Sequence, residues 1–245
     1  MENRLLLPHN LTIWQNTVHW IPSHNTLEKW QKFYELICRY NLHINLTRIT
    51  HPDEFWEKNL WDCLTPVIPY DLNNKKIMDV GTGAGFPGMP IAMAFPQCQV
   101  VLMDSISKKI NFLLLVKSEI NLQNVETINA RAEIVGQDKN HRGKYDFVLT
   151  RAVAAISVCL EYSLPLLKVG GIAILWRGNL AEEELEKNKR VAKKLGGEII
   201  EVVATKTPLS HNIRHNIYVK KIGETPPLYP RNPGKPVKKP LELID

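Results

Sequence analysis

The stretch Ile77-Met78-Asp79-Val80-Gly81-Thr82-Gly83-Ala84-Gly85-Phe86-Pro87-Gly88 decides the fold of this chain. An apolar run carrying a carboxylate gives way to four glycines in eight residues, and the apolar run Ile91 to Phe95 follows. This order reads as a strand, a tight turn and a helix. The glycines permit positive φ and let a ligand approach bare backbone. Pro87 suits a first helical turn, where a missing N–H costs nothing. The free N–H groups of that turn would face whatever occupies the crevice above the strand.

Two glycine registers overlap here. Gly83-Ala84-Gly85-Phe86-Pro87-Gly88 satisfies the dinucleotide pattern G-x-G-x-x-G. Asp79-Val80-Gly81-Thr82-Gly83-Ala84-Gly85 satisfies the D-x-G-x-G-x-G pattern of S-adenosylmethionine enzymes. Asp79 favours the second, because a carboxylate repels a pyrophosphate and attracts a ligand carrying ammonium and sulfonium charges.

The 245 residues suffice for one large or two modest domains. Strands and helices alternate beyond the turn cluster Asp71-Leu72-Asn73-Asn74, the pattern of a parallel sheet covered on both faces. The expected strands end at Val80 and run over Val100–Asp104, Val125–Asn129, Tyr145–Thr150 and Gly171–Trp176. Ser107–Ile120 reads as an amphipathic helix capped by Ser105 or Ser107. Another starts at Glu182-Glu183-Glu184 and stops at Gly196-Gly197, acids first and bases last as the helix dipole prefers. Glu198–Val203 and His215–Ile222 form an expected antiparallel hairpin closing the sheet. Before Asp71 the chain reads as helical: Trp30, Phe33, Tyr34, Ile37 and Cys38 recur at helix spacing, and Pro52-Asp53-Glu54 opens a second helix. The expected organisation is a helical cap over residues 1–70, an α/β domain over 71–222 and a basic, proline-rich, extended tail over 223–245, together one structural unit.

Four cysteines, Cys38, Cys63, Cys98 and Cys159, lie far apart with no C-x-x-C pair, which argues against a zinc site or disulfide framework and fits a reduced cytosol. The eight histidines form no metal-ligand cluster, so no metal is assigned. No apolar run approaches a membrane span, and the expected location is cytoplasmic. The net charge of +6 is uneven: from Thr205 onward eight Lys or Arg face three acids, leaving +1 for the first 204 residues. A basic flank on a near-neutral body suggests a polyanionic partner, with Arg231, Lys235, Lys238 and Lys239 as expected phosphate contacts.

Asp104 ends the second strand where a ribose would lie in an open α/β sheet, and both hydroxyls could donate to it. Arg131-Ala132-Glu133 follows the third strand and borders the same crevice, where backbone groups and a carboxylate could read an adenine edge. Thr150-Arg151-Ala152 ends the fourth strand. No Asn/Asp-Pro-Pro-aromatic turn for amino-group methylation and no cysteine nucleophile for carbon-5 methylation stand there. Arg151 is neither nucleophile nor base at neutral pH, but it can hold phosphate, a carboxylate or a guanine oxygen.

The run Asp79 to Pro90 closely resembles the signature of the bacterial small-subunit ribosomal RNA guanine-N7 methyltransferases, also called the glucose-inhibited division protein B family. Asn45-Leu46-Thr47-Arg48-Ile49, Asp104-Ser105, Arg131-Ala132-Glu133, Thr150-Arg151-Ala152-Val153, Tyr229-Pro230-Arg231-Asn232-Pro233-Gly234 and Lys238-Lys239-Pro240-Leu241 match that family in the same order. The resemblance implies a Rossmann-like class I methyltransferase fold, α/β, with a seven-stranded mostly parallel sheet and an N-terminal helical cap. It implies S-adenosylmethionine as methyl donor and N7 of a guanine in small-subunit (16S) ribosomal RNA or the 30S particle as acceptor. By that resemblance Gly81, Phe86, Ala132, Glu133 and Arg151 become cofactor contacts, with Asp104 and Ser105 beside the ribose. From the glycine loop itself Asp79, Thr82, Gly83 and Gly85 are expected cofactor contacts too, Arg151 is the expected catalytic residue, and the chain is expected to be a monomer. Asn59 and Cys63 stand where the family usually has His and Ser, and Arg177 replaces a usual Lys. Two other readings stay open: a nicotinamide-dependent oxidoreductase using the Gly83 register, and a ribosome-binding factor without turnover.

Overall fold

The structure is a computed structural model that describes residues 6–242. Its N-terminal part is helical: α1 (Leu11–Val18), α2 (His24–Ile44) and a third rod built from α3 (Pro52–Phe55), a π-helical stretch (Trp56–Trp61) and α4 (Asp62–Leu64). Ser23 caps α2 through its hydroxyl, which accepts from the Thr26 N–H at 3.2 Å. The π-helical stretch was not foreseen, because helix spacing in the sequence does not distinguish a widened turn from an ordinary one.

The sheet follows. It alternates β1 (Lys76–Val80), α5 (Gly88–Ala94), β2 (Gln99–Asp104), α6 (Ser107–Ile120), β3 (Val125–Asn129), α7 (Ala132–Val135), β4 (Tyr145–Arg151), α8 (Ile156–Ser163), β5 (Leu167–Arg177) and α9 (Glu182–Lys194). It ends in β6 (Gly197–Lys206) and β7 (Ile213–Lys221), and α10 (Lys235–Lys238) lies in the C-terminal segment. Seven strands run in the order β3-β2-β1-β4-β5-β7-β6, with β7 antiparallel to both neighbours and the other pairings parallel. The Rossmann-like sheet and its closing hairpin are therefore as expected. The chain leaves β1 toward β2 on one side and returns to β4 on the other. That reversal opens a crevice at the strands' carboxyl ends.

Side chains alternate across the strands, so each face has its own core. On one face, Ile77, Leu102, Leu149 and Ile174 pack with Trp14, Trp30, Phe33, Phe55 and Trp56 of the cap. The cap and sheet thus share one hydrophobic core. Its centre is a set of indole contacts, Trp14 lying 5.5, 5.7 and 5.6 Å from Trp20, Trp30 and Trp56. On the other face, Met78, Val101, Val148 and Leu175 pack with Ile156, Leu160, Val191 and Leu195 of α8, α9 and the turn beyond α9.

Two local expectations need correction. Neither Ser105 nor Ser107 caps α6: the Asp104 carboxylate accepts the Ile106 N–H at 2.9 Å, and the Ser107 hydroxyl donates to Asn129. The strand-end carboxylate reaches the helix start first. The segment after residue 222 is not a loose extended tail. Tyr229, Pro230 and Pro236 are buried, and α10 forms within it. Arg142 fastens it by donating to the carbonyls of Thr225, Pro226 and Tyr229 at 2.7–3.3 Å. A composition rich in Pro and Lys records the lack of regular structure but not the carbonyls that a half-buried guanidinium can satisfy.

Candidate active site at the carboxyl ends of the sheet

The glycine loop is shaped by its own strand. Gly81, Gly83 and Gly85 all have positive φ (70°, 61° and 103°), which L side chains rarely adopt. The N–H groups of Gly81 and Thr82 both donate to the Met103 carbonyl, at 2.8 and 3.0 Å, so the loop is stitched to β2. A Cβ on Gly81 would lie 2.9 Å from Val153 Cγ2, so only glycine lets the turn and the segment after β4 meet.

Asp79 sits differently from its expected place beside a cationic ligand. It is wholly buried, and Oδ2 accepts from the Thr82 hydroxyl at 2.6 Å and the Gly88 N–H at 2.8 Å. Its Oδ1 has no hydrogen-bond partner among the described residues. Burial pushes its carboxyl up to about 7, against the hydrogen bonds from Thr82 and Gly88 and the charge of Arg151. Asp79 thus closes the start of α5, with Pro87 just ahead of the helix rather than inside its first turn. This removes the dinucleotide reading: the helix N–H that a pyrophosphate would need is held by a carboxylate. Phe86 is also turned inward, 5.4 and 5.7 Å from Phe33 and Phe55, and anchors the loop to the cap.

Beside the loop lies a cleft of about 270 Å³. Its lining includes Gly81, Asp104, Ser105, Ala132 and Glu133, all singled out from the sequence, and also Arg131 from the same motif. Thr82, Gly83, Gly85 and Phe86 belong to the loop without lining the cleft. The Asp104 carboxylate, 6% exposed, accepts the Gly83 N–H at 2.9 Å and has Lys109 Nζ 3.7 Å away. Glu133 Oε1 gathers three donors: the Gly234 N–H at 2.8 Å, the Tyr162 hydroxyl at 3.1 Å and Arg131 Nη2 at 3.2 Å. Burial would raise its carboxyl, but the Gly234 N–H, its own backbone N–H and the Arg131 guanidinium hold it below the usual range. Two buried carboxylates at the ends of adjacent strands suit the hydroxyls and amino edge of a nucleoside.

Sequence reasoning passed over several lining residues: Val80, Met103, Ala130, Tyr162, Val153, Ala154 and Val237. Most are apolar residues at or just beyond strand ends that look like core in a sequence. Ala152 of the strand-four motif also lines the cleft, a non-glycine residue at φ 56°, in left-handed backbone where the chain leaves β4. A larger cavity of about 750 Å³ lies in the cap, lined by Leu27, Trp30, Trp56 and Leu60 among others, away from the strand-end carboxylates.

Arg151 does not line this cleft. It reaches into the cap, where Nη2 donates to the Lys58 carbonyl at 2.6 Å and Nη1 to Asn59 Oδ1 at 3.3 Å. Cys63 Sγ lies 3.5 Å from Nη1 and Asp62 Oδ2 3.4 Å from Nη2. The π-helical stretch and the residues after it thus supply every one of these partners. A widened turn of this kind often marks functional positions. Cys63, fully buried, is pushed up to about 12 and stays a thiol. Burial raises the Asp62 carboxyl while Arg151 and Arg214 pull it back. Arg177 Nη1 donates to the Ala154 carbonyl at 2.9 Å, bracing the segment that lines the cleft.

The basic residues of the C-terminal segment divide. Arg231 is committed inward: its backbone N–H, Nε and Nη2 all donate to the wholly buried Glu161, at 2.6–3.1 Å. Lys235, Lys238 and Lys239 are exposed. Among the described residues no group of acidic, histidine and cysteine side chains could hold a metal, and no helix is long and apolar enough to cross a membrane.

The architecture defines a class I S-adenosylmethionine-dependent methyltransferase fold. A methyltransferase from Aquifex aeolicus matches 69% of this chain and 93% of its own at 16% identity, with a TM-score of 0.52. A 16S rRNA (adenine(1408)-N(1))-methyltransferase mutant from Catenulisporales acidiphilia matches 62% and 90% at 14% identity, with a TM-score of 0.53. Likeness at that identity speaks for the fold. The family model for rRNA small subunit methyltransferase G matches residues 26–215, and the chain belongs to that family. A ribosomal RNA small subunit methyltransferase G from Nostoc punctiforme is 49% identical over 241 residues, covering 96% of this chain and 99% of its own. One from Trichodesmium erythraeum is 48% identical over 247 residues, covering 98% and 96%. The protein is a methyltransferase, and neither the oxidoreductase nor the non-catalytic reading has support.

Proposed function

We propose that this enzyme methylates N7 of a guanine in small-subunit (16S) ribosomal RNA, with S-adenosylmethionine as donor, and so acts in the cytoplasm where that RNA is found. The observation that carries the reading is the pairing of Asp104 and Glu133 across a cleft walled by Gly81, in a chain of this family. In this reading Asp104 accepts from the ribose hydroxyls, and Ala132 with Glu133 borders the base. When bound, the donor supplies an electrophilic methyl group on a sulfonium. The work of this chain is alignment. Guanine N7 carries a free lone pair at neutral pH, so no proton has to leave and no general base is required. Arg151, locked by Lys58, Asn59, Asp62 and Cys63, would fix the substrate side of the strand-four end rather than exchange protons.

The test uses labelled donor and small subunits from a strain lacking the enzyme, with the modified base mapped afterwards. Label at N7 of one guanine is expected. With donor and RNA saturating, single-turnover rates should stay flat between about pH 6 and 9. A sigmoid reporting one ionisation in that window would point instead to an exocyclic amine or ribose hydroxyl as acceptor.

A further inference from the structure

The C-terminal segment reaches the cofactor cleft. Val237, on α10, is one of the lining side chains although it is 55% exposed. The segment arrives there by dedicated bonds. Pro230 packs so closely on Gly136 that a Cβ there would lie 2.7 Å from the proline Cγ. Arg231 clamps Glu161 of α8 through three donors, and the next residue of that helix, Tyr162, lines the cleft and donates to Glu133. Gly234, at φ 79°, then turns the chain so that its N–H meets Glu133 Oε1. A bidentate pair between groups 13% and 0% exposed is a strong, directional anchor. An arrangement meant only to stow a tail would not need to end on a carboxylate of the cleft.

We infer that residues 229–237 are a wall of the cofactor site, with Val237 in contact with the bound nucleoside and the Arg231–Glu161 pair as the positioning clamp that holds Val237 and Gly234 in place. This rests on the reading of the cleft as the S-adenosylmethionine site. Losing the clamp frees Val237 to leave and takes one donor from Glu133, so affinity falls though the glycine loop is untouched.

Calorimetry with S-adenosylhomocysteine on the full chain tests this, with hydrogen exchange alongside. Val237→Trp, at a half-exposed position, should keep the melting temperature and weaken binding by roughly tenfold by filling the cleft. Arg231→Ala should weaken binding by a similar factor and Arg231→Lys by less, since lysine keeps the charge without the fork. In the wild type the ligand should slow exchange of the amides from Arg231 to Lys238. Wild-type affinity in folded Val237→Trp, or no ligand-dependent protection of that segment, would overturn the proposal while leaving the cleft's assignment intact. No binding by the wild type would remove both.

Discussion

Asp79 shows how one residue can be read correctly as important and wrongly as to its surroundings. A carboxylate at a strand end beside a glycine loop invites a cationic ligand, yet the loop folds over it, and Thr82 and Gly88 take its Oδ2. The raised pKa then has a consequence for stability. In the unfolded chain the group titrates near an ordinary carboxyl value, about 4. In the folded chain it does so at about 7. Between those values the native state holds a proton that the unfolded chain has released. This contribution is therefore fully present below about pH 4 and is lost as pH rises toward the folded value. Asp79→Asn should remove that loss. Urea unfolding of both proteins between about pH 4 and 8 should show the wild type declining relative to the variant by up to about 1.4 kcal/mol per pH unit. A difference that does not change with pH would mean that Asp79 is ionised throughout.

At the scale of elements, the rod from Pro52 to Leu64 does more than cover the sheet. Its π-helical stretch turns a backbone carbonyl and the Asn59 side chain toward Arg151, and Asp62 and Cys63 follow directly. Glu57 of the same stretch accepts the N–H groups of Leu209 and Ser210 in the β6–β7 loop, and the Ser210 hydroxyl with these N–H groups holds its carboxyl below the usual range despite burial. One widened turn thus ties the ends of β4 and the final hairpin together. Among the described residues Arg151→Ala should leave buried Asp62 with Arg214, 3.9 Å away, as its remaining counter-charge. The expected loss is about 3 kcal/mol, near the low end for a broken buried pair because Asp62 can take up a proton. Guanidinium unfolding would measure it. Methyl transfer should slow as well, through misplacement rather than a lost proton acceptor. A variant as stable as the wild type would show that Arg151 and Asp62 are screened by water instead of enclosed.

For the whole molecule, the distribution of charge bears on the polyanionic partner. Arg231 is consumed by Glu161, so Lys235, Lys238 and Lys239 remain as exposed cations beside the cleft. Binding to the RNA should weaken steeply with salt. Replacing any one of these lysines by Ala should flatten the log–log slope by roughly 0.7–0.9, the range for one phosphate contact. Arg231→Ala should weaken cofactor binding instead. Filter binding at several salt concentrations separates the two, and unchanged slopes for all three lysines would move the RNA to another face.

The sequence by itself determined the alternation of strands and helices, the switch point at the glycine loop and the cleft residues Gly81, Asp104, Ala132 and Glu133. These follow from local rules: period-two and period-3.6 apolar spacing, glycines where φ is positive, and carboxylates at strand ends. Resemblance through several ordered motifs added the family. Tertiary structure alone decided where Asp79, Arg151 and Arg231 point, that a π-helical turn meets Arg151, and that the last turns of the chain wall the cleft. Two depend on a partner distant in sequence, Asn59 for Arg151 and Glu161 for Arg231, and Asp79 depends on how its own loop folds back to bring Gly88 over it. A charged side chain takes whichever buried partner the packed fold brings within hydrogen-bond reach, and no local pattern records that distance.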